Sequence, residues 1–329
     1  MPNPIPNRID SKDIISLNTF GFISANLYNF LPNMPYHTHR ALYRDFRTHQ
    51  WLHGMDANFF KGQYPLPIEG ANDFLAKITS RSGIVCTFHF GVYQLICHLF
   101  LKSETRFALL VGAEVYKNWR ARYPALMEQL DAAALRGNFV LLDANSSTSL
   151  RQMYTLVKTG YNLIVYVDGI QGLAEENEKH LIPITFLGQQ IFVPKGAASL
   201  SHMINAPMYP MLALRRTDKI EVISAPPIIP SKSIHKSDYC TFAMTKIFSL
   251  LSSHVMHWPE QWSNWPLLHY FLRSNKPIGR MVIPGELSEE MEYSLFRLDG
   301  KGFLLKKANY KAFYLKESDF QVVFDRWSP

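Results

Sequence analysis

The sequence predicts an α/β fold with a mainly parallel central sheet flanked by helices and a small β-rich appendage at the C-terminus. Short apolar runs of strand type alternate with helical patterns through the middle of the chain, and this alternation is typical of parallel sheets. Near the C-terminus, short alternating runs are separated by turn residues instead. The length of 329 residues and the apolar fraction of 47% provide enough material for one large core.

The predicted core consists of strands and connecting helices in regular order. The predicted strands cover residues 83–88, 106–111, 139–142, 163–167, 208–214 and 219–224. The predicted helices cover residues 92–101, 117–136, 147–159 and 196–204. A hairpin is predicted over residues 182–193, around the turn at Leu187-Gly188. With the helical stretches at 239–256 and 259–272, these elements define an α/β core over residues 70–275.

The two segments that flank this core have different sequence patterns. Residues 1–69 are predicted to be a helical segment, and its apolar stretch at 13–31 is interrupted by three asparagines. A membrane-spanning helix needs ~18 to 20 consecutive apolar residues, and this stretch has no uninterrupted apolar run of that length. We therefore expect either a core helix or a helix that lies on a membrane surface. Residues 280–329 are predicted to form a small β-rich segment, with strands at 292–298, 302–307, 312–315 and 321–324.

Composition and charge narrow the classes of partner and location. The net charge of +7 favours an anionic partner, such as an acidic carrier protein, a phosphate-bearing cofactor or an anionic membrane surface. Basic residues are scattered rather than interleaved with aromatic residues, so nucleic acid is not an expected partner. The three cysteines form no Cys-x-x-Cys pair, which argues against a zinc ribbon and favours a reducing compartment. We expect a cytoplasmic protein, with peripheral binding to the inner face of the membrane as an open alternative.

Two chemically useful side chains follow predicted strands. His89 comes after the strand at 83–88, and Asp168 comes after the strand at 163–167. Sites in open α/β sheets lie at the carboxyl ends of the strands, so both positions are candidates. A histidine at a helix entry can act as a general base near neutral pH, and a side chain five positions later can hold its ring. That later residue is Gln94, whereas Asp168 has the alternative of a turn-starting residue before Gly169.

The hexapeptide from His89 to Gln94 resembles a known catalytic signature. The lipid A late-acyltransferase type, within the lysophospholipid acyltransferase superfamily, has a histidine, then four intervening residues, and then Asp or Glu. Here the stretch reads His89-Phe90-Gly91-Val92-Tyr93-Gln94. Further blocks resemble the same family in the same order: Trp119-Arg120-Ala121-Arg122, the strand ending at Asp168, Phe186-Leu187-Gly188, Pro194-Lys195-Gly196-Ala197-Ala198, and Pro259-Glu260-Gln261-Trp262 leading to Trp265.

The resemblance implies direct acyl transfer from a thioester of acyl carrier protein or coenzyme A to a hydroxyl or amine, with no cofactor. It implies a glycolipid, a phospholipid or a small amine or peptide as acceptor. His89 and Gln94 are the implied catalytic residues, and backbone amides at the helix start after His89 are expected to stabilise the oxyanion. The implied substrate-binding residues are Phe90, Gly91, Tyr93, Arg120, Arg122, Asp168 and Gly188.

Gln94 departs from the family signature, because an amide can orient the imidazole but cannot neutralise the imidazolium. Three interpretations remain open: a slower transferase, a transferase whose charged partner is elsewhere, such as Asp168, and a non-catalytic protein that binds acyl chains or a carrier protein. Thioester hydrolysis is a further alternative. For Arg120 and Arg122 the alternative to phosphate binding is a solvated helix face.

No metal site is predicted. His49 and His53 have the i, i+4 spacing of two zinc ligands, but no glutamate follows His49 and no third ligand is evident. We therefore expect these histidines, with His37 and His39, to lie on the surface. Cys86, three residues before His89 in a strand, is expected to be a core cysteine rather than a nucleophile.

Overall fold

The computed structural model of the protein describes residues 13–56, 66–144, 146, 148–173, 175–272 and 290–327. The helices in these ranges are α1 (Ile14–Phe30), α2 (His39–Met55), α3 (Ala71–Ser80), α4 (Leu95–Lys102), α5 (Ala113–Arg122), α6 (Pro124–Leu135), α7 (Ser149–Lys158), α8 (Gly196–Ile204), α9 (Lys236–Val255) and α10 (Glu317–Trp327). The strands are β1 (Ile68–Glu69), β2 (Ile84–Thr87), β3 (Phe107–Val111), β4 (Phe139–Asp143), β5 (Asn162–Tyr166), β6 (Leu181–Phe186), β7 (Gln189–Pro194), β8 (Met208–Arg215), β9 (Ile220–Ser224), β10 (Tyr293–Leu298), β11 (Lys301–Lys306) and β12 (Lys311–Leu315). Short 3-10 helices add Tyr36–Thr38, Ile170–Leu173, Glu175–His180, Pro259–Gln261, Trp265–Leu272 and Lys307–Asn309.

Contacts divide the chain into two compact units. Unit 1 comprises Met1–Thr48, Leu187–Ile191 and Ser263–Pro329, and unit 2 comprises His49–Phe186 and Phe192–Trp262. The described residues of the first 48 and of the last 40 therefore belong to the same unit.

Unit 2 contains a seven-stranded sheet in the order β1-β9-β8-β2-β5-β3-β4. Every neighbouring pair is parallel except β8 with β9, which is antiparallel. All residues of β2 and β8 are buried, as expected for strands that are covered on both faces. Together with the small antiparallel sheet of unit 1, this arrangement confirms the predicted fold class.

Helices cover both faces of this sheet. On one face, side chains of α3, α4 and α6 pack with alternate residues of the strands, including Val85, Leu109 and Ile164. On the other face, α7 contacts β5, α8 contacts β2, and α9 contacts β6 and β8. Cys86 points to this second face and is fully buried, and burial raises the pKa of its thiol. It is the core cysteine that the sequence predicted.

Two helix boundaries differ from the sequence prediction. The single helix predicted over 117–136 is two helices, because Pro124 lacks the amide hydrogen that a continuous helix needs and starts α6 instead. The helix predicted from Val92 begins only at Leu95. The amide of Val92 donates instead to the Ala213 carbonyl of β8, at 2.7 Å.

Unit 1 contains the antiparallel sheet β10-β11-β12, whose first two strands are joined at the predicted Asp299-Gly300 turn. The strand predicted over 321–324 is wrong, because these residues belong to α10. Phe320, Val323 and Phe324 follow helical spacing and pack on one face of the sheet. Four residues are too few for periodicity to separate a strand from a helix, so packing decides.

The asparagines of α1 bond within unit 1. The side-chain amide of Asn18 donates to the carbonyl of Arg297 at 2.7 Å, and its oxygen accepts from the amide of Arg297 at 2.7 Å. This pair covers the outer edge of β10 in the way a neighbouring strand would. Asn26 donates to the Trp265 carbonyl, and Asn29 donates to the Lys307 carbonyl. These bonds favour the core-helix interpretation of residues 13–31, and no helix among the described residues meets the length and hydropathy of a membrane span.

Unit 1 also buries a lysine. Lys307 has no exposed surface, its Nζ donates to the Glu290 carbonyl at 2.6 Å, and it lies 4.1 Å from the centroid of the Tyr36 ring. Burial lowers the pKa of Lys307 to about 7, because the desolvation of the ammonium outweighs its attraction to the carboxylate of Glu290.

Candidate active site

The ends of two neighbouring strands bring His89 and Asp168 together. β2 and β5 are parallel, with Thr87 opposite Tyr166, so both strands end at the same edge of the sheet. His89 lies two residues after β2, and Asp168 lies two residues after β5. Nδ1 of His89 is 2.8 Å from Oδ1 of Asp168. The two residues that the sequence placed at strand ends therefore form one pair, here called the dyad.

The carboxylate of Asp168 has no exposed surface and accepts several hydrogen bonds. The backbone amide of His89 donates to Oδ2 at 3.0 Å, and Nε1 of Trp262 donates to the same oxygen at 2.9 Å. Such donors compensate for the removal of a carboxylate from water. Because Nδ1 of His89 donates to this carboxylate, Nε2 is the nitrogen that can accept a proton. The His89 side chain is 31% exposed, so the ring remains open to a substrate.

Two tyrosines hold the His89 ring. The Tyr166 ring stacks on it at 4.7 Å between centroids, and the Tyr93 ring contacts it edge-on at 5.1 Å. The Tyr166 hydroxyl donates to the Tyr93 carbonyl at 3.0 Å. Burial raises the pKa of both phenols, so both stay neutral near pH 7. Tyr166 was not predicted from the sequence, although side chains two positions apart in extended chain point to the same side and Tyr166 precedes Asp168 by two residues.

The predicted contact between Gln94 and the ring of His89 is wrong. Gln94 is buried, and its Nε2 donates to the hydroxyl of Tyr123 at 2.9 Å. The prediction assumed a helix that starts directly after His89, but residues 89–94 form an extended turn and Gln94 only precedes the first residue of α4. Of the alternatives left open by the sequence, the geometry agrees with the one in which Asp168 is the charged partner of His89.

The turn after His89 is held by partners that are distant in sequence. The amide of Gly91 donates to the carbonyl of Gln261 at 2.9 Å, and Val92 donates to Ala213. Gly91 has a φ of +58°, and a Cβ atom there would overlap the Ala213 carbonyl, so only glycine allows the two backbones to approach this closely. The amides of Gly91 and Val92 both donate to protein acceptors, so these two are not available to an oxyanion. The expectation that other amides after His89 stabilise the oxyanion stays a prediction.

Buried polar side chains near this turn include His53, Asp56 and Arg215. Nε2 of His53 donates to the Gly91 carbonyl at 3.0 Å, and Nη2 of Arg215 is 2.5 Å from Oδ1 of the buried Asp56. Burial lowers the pKa of His53 to about 3, so the ring is neutral at pH 7. His53 is therefore a buried donor and not the expected surface histidine. Arg215 ends β8, and its position at a strand end is a sequence signal that was not used.

Of the other three histidines that were expected on the surface, His37 is exposed as predicted, whereas His39 and His49 differ from expectation. His39, in unit 1, is buried beside Ser24, and desolvation lowers its pKa to about 4. His49 is half-buried, and desolvation lowers its pKa to about 4 as well. In the described ranges, no group of three or more His, Cys, Asp or Glu side chains is arranged to hold a metal ion.

The two predicted arginines occupy different surroundings. Arg120 is exposed and donates to the hydroxyl of Tyr116 at 3.1 Å and to Asp131 at 3.0 Å, which matches the solvated-face alternative. Arg122 is also exposed and lies 5.4 Å from the centroid of the Tyr123 ring. Its positive charge favours a lower pKa at both His53 and Tyr93, an effect that Arg120 does not have on these two groups.

Phe90 and Gly188 have clear structural roles. Phe90 is fully buried and forms a β-bridge with Trp262. Gly188 lies in unit 1, in the turn between β6 and β7, where its φ of +78° and the φ of +48° at Leu187 suit a tight hairpin turn. Their predicted roles in substrate binding stay predictions.

Comparisons with known proteins show a distant structural likeness. No protein-family model matches the sequence, and a search of curated proteins finds no match. Among solved structures, the chain is similar to the crystal structure of the 1-acyl-sn-glycerophosphate (LPA) acyltransferase PlsC from Thermotoga maritima, with 15% sequence identity and a TM-score of 0.33. The similarity covers 73% of this chain and 96% of that chain. A likeness this distant carries no argument about function, so the proposal below depends on the site.

Proposed function

We propose that this protein is an acyltransferase that moves a fatty acyl group from a thioester to a hydroxyl or amine, with His89 as general base. The observation that carries the proposal is the dyad, in which a buried carboxylate orients an imidazole at the carboxyl edge of a parallel sheet. Asp168 supplies the negative charge that Gln94 lacks. The non-catalytic alternative was suggested by Gln94, and the presence of Asp168 beside His89 is the reason to propose a transferase instead.

The proposed reaction proceeds in two steps. Nε2 of His89 takes the proton of the acceptor hydroxyl or amine as its oxygen or nitrogen attacks the thioester carbonyl. The tetrahedral intermediate then collapses, the carbon–sulfur bond breaks, and the imidazolium returns the proton to the leaving thiolate. The carboxylate of Asp168 stabilises the imidazolium. No acyl group is attached to the protein at any stage.

The donor, the acceptor and the location are part of the same proposal. The donor is a thioester of acyl carrier protein or coenzyme A, and the net charge of +7 and the exposed guanidinium of Arg122 suit its phosphate groups. The acceptor is a glycolipid, a phospholipid or a small amine or peptide. The proposed location is the cytoplasm, with peripheral binding to an anionic membrane surface.

The test is acyl transfer by purified wild type, by His89→Ala and by His202→Ala. His202 is a matched control, because it lies in the last turn of α8 and bonds the Ile234 carbonyl. Thiol release from long-chain acyl thioesters is followed with and without a lysate-derived acceptor fraction, and products are identified by mass spectrometry. We expect an acylated product with wild type and His202→Ala, and its loss by at least about a thousandfold with His89→Ala.

Other outcomes correspond to the alternatives. Thiol release at the same rate with and without acceptor, with free fatty acid as the product, would assign a thioesterase. Donor binding without product in wild type, and unchanged binding in His89→Ala, would assign a non-catalytic binding protein.

A further inference from the structure

We infer that Trp262 is a positioning residue, whose indole N–H holds the carboxylate of Asp168 in the orientation that the dyad requires. The inference depends on the proposed function for its kinetic consequence, but its structural content can be measured separately. It concerns the short segment Pro259–Trp262, which follows α9. This segment is one of the blocks that resemble the acyltransferase family, and the resemblance implies no role for its residues.

This segment connects three strand ends. The side-chain amide of Gln261 accepts from the amide of Arg215 at 3.0 Å and donates to its carbonyl at 2.9 Å, at the end of β8. The carbonyl of Gln261 accepts from Gly91, after β2, and the indole of Trp262 donates to Asp168, after β5. Two adjacent residues therefore connect the ends of β8, β2 and β5, which come from distant parts of the sequence.

The indole itself has little freedom to move. Trp262 is 1% exposed, its ring meets that of Phe186 at 5.5 Å and 65°, and its backbone bridges to Phe90. Tryptophan has one side-chain N–H, whose direction is set by the plane of the ring. A packed ring therefore delivers that N–H to one place, at lower entropic cost than a flexible donor would.

The consequence is a fixed carboxylate. The indole N–H of Trp262 donates to Oδ2 at 2.9 Å, the backbone amide of His89 is shared between Oδ2 at 3.0 Å and Oδ1 at 3.3 Å, and Oδ1 faces Nδ1 of His89 at 2.8 Å. Without the indole N–H, one of the donors that define the plane of the carboxylate is missing. Only the donors from His89 itself then remain among these contacts, so rotation of the carboxylate about its Cβ–Cγ bond is less restricted and the orientation of the His89 ring is less well defined.

The test compares Trp262→Phe with Phe186→Leu in the full chain. Trp262→Phe removes the N–H and keeps an aromatic ring, whereas Phe186→Leu disturbs packing on the same indole and keeps the N–H. The first readout is the ring Nδ1–H resonance of His89 in nitrogen-labelled histidine NMR, assigned by its loss in His89→Ala. We expect it to move or to disappear through exchange with water in Trp262→Phe, and to persist in Phe186→Leu.

The second readout is kinetic. We expect Trp262→Phe to lower kcat roughly tenfold with KM nearly unchanged, the effect of losing one hydrogen bond to a charged group that orients the base. An unchanged resonance in Trp262→Phe would overturn the inference, and so would an equal loss in Phe186→Leu, which would assign a packing role. If Trp262→Phe folds poorly, replacing the indole by the isosteric benzothiophene side chain removes only the N–H and decides the question in the same way. A wild type without acyl transfer would refute the proposed function, while the NMR comparison would still decide the role of Trp262.

Discussion

Replacing Asp168 by asparagine is the sharpest test of the dyad, because it exchanges one oxygen for an amide nitrogen of nearly the same size. In the wild type, Oδ2 accepts from the His89 amide and from Trp262, while Oδ1 faces Nδ1 of His89. The amide oxygen of the variant is expected to stay with the two donors at the Oδ2 position. Its NH2 group then faces Nδ1 of His89, which must become an acceptor.

That exchange places the histidine proton on the wrong nitrogen. With Nδ1 as acceptor, the neutral ring carries its hydrogen on Nε2, and the nitrogen that should take the acceptor proton has no free lone pair. The variant also lacks the negative charge that stabilises the imidazolium. We expect kcat to fall by about 10³ to 10⁴, equivalent to about 4 to 5.5 kcal/mol of transition-state stabilisation.

The assay is initial-rate thiol release from an acyl thioester with saturating acceptor, and the matched variant is Gln94→Glu. This substitution would restore the acid of the family signature, but Gln94 bonds Tyr123 and not the ring of His89. We therefore expect less than about a tenfold change in kcat for Gln94→Glu. If Asp168→Asn keeps kcat within tenfold of wild type while Gln94→Glu changes it by more, the assignment of Asp168 as the partner of His89 is refuted.

Three further predictions concern stability, each measured by denaturant unfolding. Lys307→Met should stabilise the protein at pH 6 by up to about 5 kcal/mol, because the pKa of Lys307 falls from 10.5 to about 7 on folding and the folded state therefore disfavours its protonated form. Between pH 7 and 10.5 the Lys307 side chain is protonated in the unfolded chain but not in the folded protein, so the stability of the wild type should rise with pH. If Lys307→Met retains this slope, the lowered pKa of Lys307 is contradicted. Gly91→Ala should cost at least about 2 kcal/mol, since alanine adds both strain at φ +58° and overlap with Ala213; an equally stable variant would show that the turn relaxes. Asp56→Asn should cost about 3 to 5 kcal/mol by leaving the buried Arg215 without its charged partner, and a loss under 1 kcal/mol would mean that water reaches the pair.

Much of the fold was predictable because its signals are local. The strands β2, β3, β4 and β5 were located within about one residue, since a strand buried on both faces must be a short apolar run ended by a turn. The last segment was misassigned, since 321–324 alternates over only four residues and its helix is selected by contact of Phe320 and Phe324 with the sheet.

The site was predictable in part for a related reason. His89 and Asp168 were found because strand ends in a parallel sheet share an edge, which is a rule about topology and not about contacts. Trp262 donates to a carboxylate 94 residues away in sequence. Neither the periodicity of apolar residues nor the spacing of polar residues along the sequence indicates that Trp262 and Asp168 are in contact.

The sequence alone determined the fold class, the edge of the sheet where the site lies and the candidacy of His89 and Asp168 as side chains at that edge. Each of these follows from apolar periodicity and from the rule that parallel strands end together. The tertiary structure alone decided which residue partners His89. The residues from His89 to Gln94 form a turn and not a helix, because the amides of Gly91 and Val92 find acceptors in Gln261 and Ala213. That long-range competition for backbone hydrogen bonds directs Gln94 to Tyr123 and leaves the imidazole to Asp168.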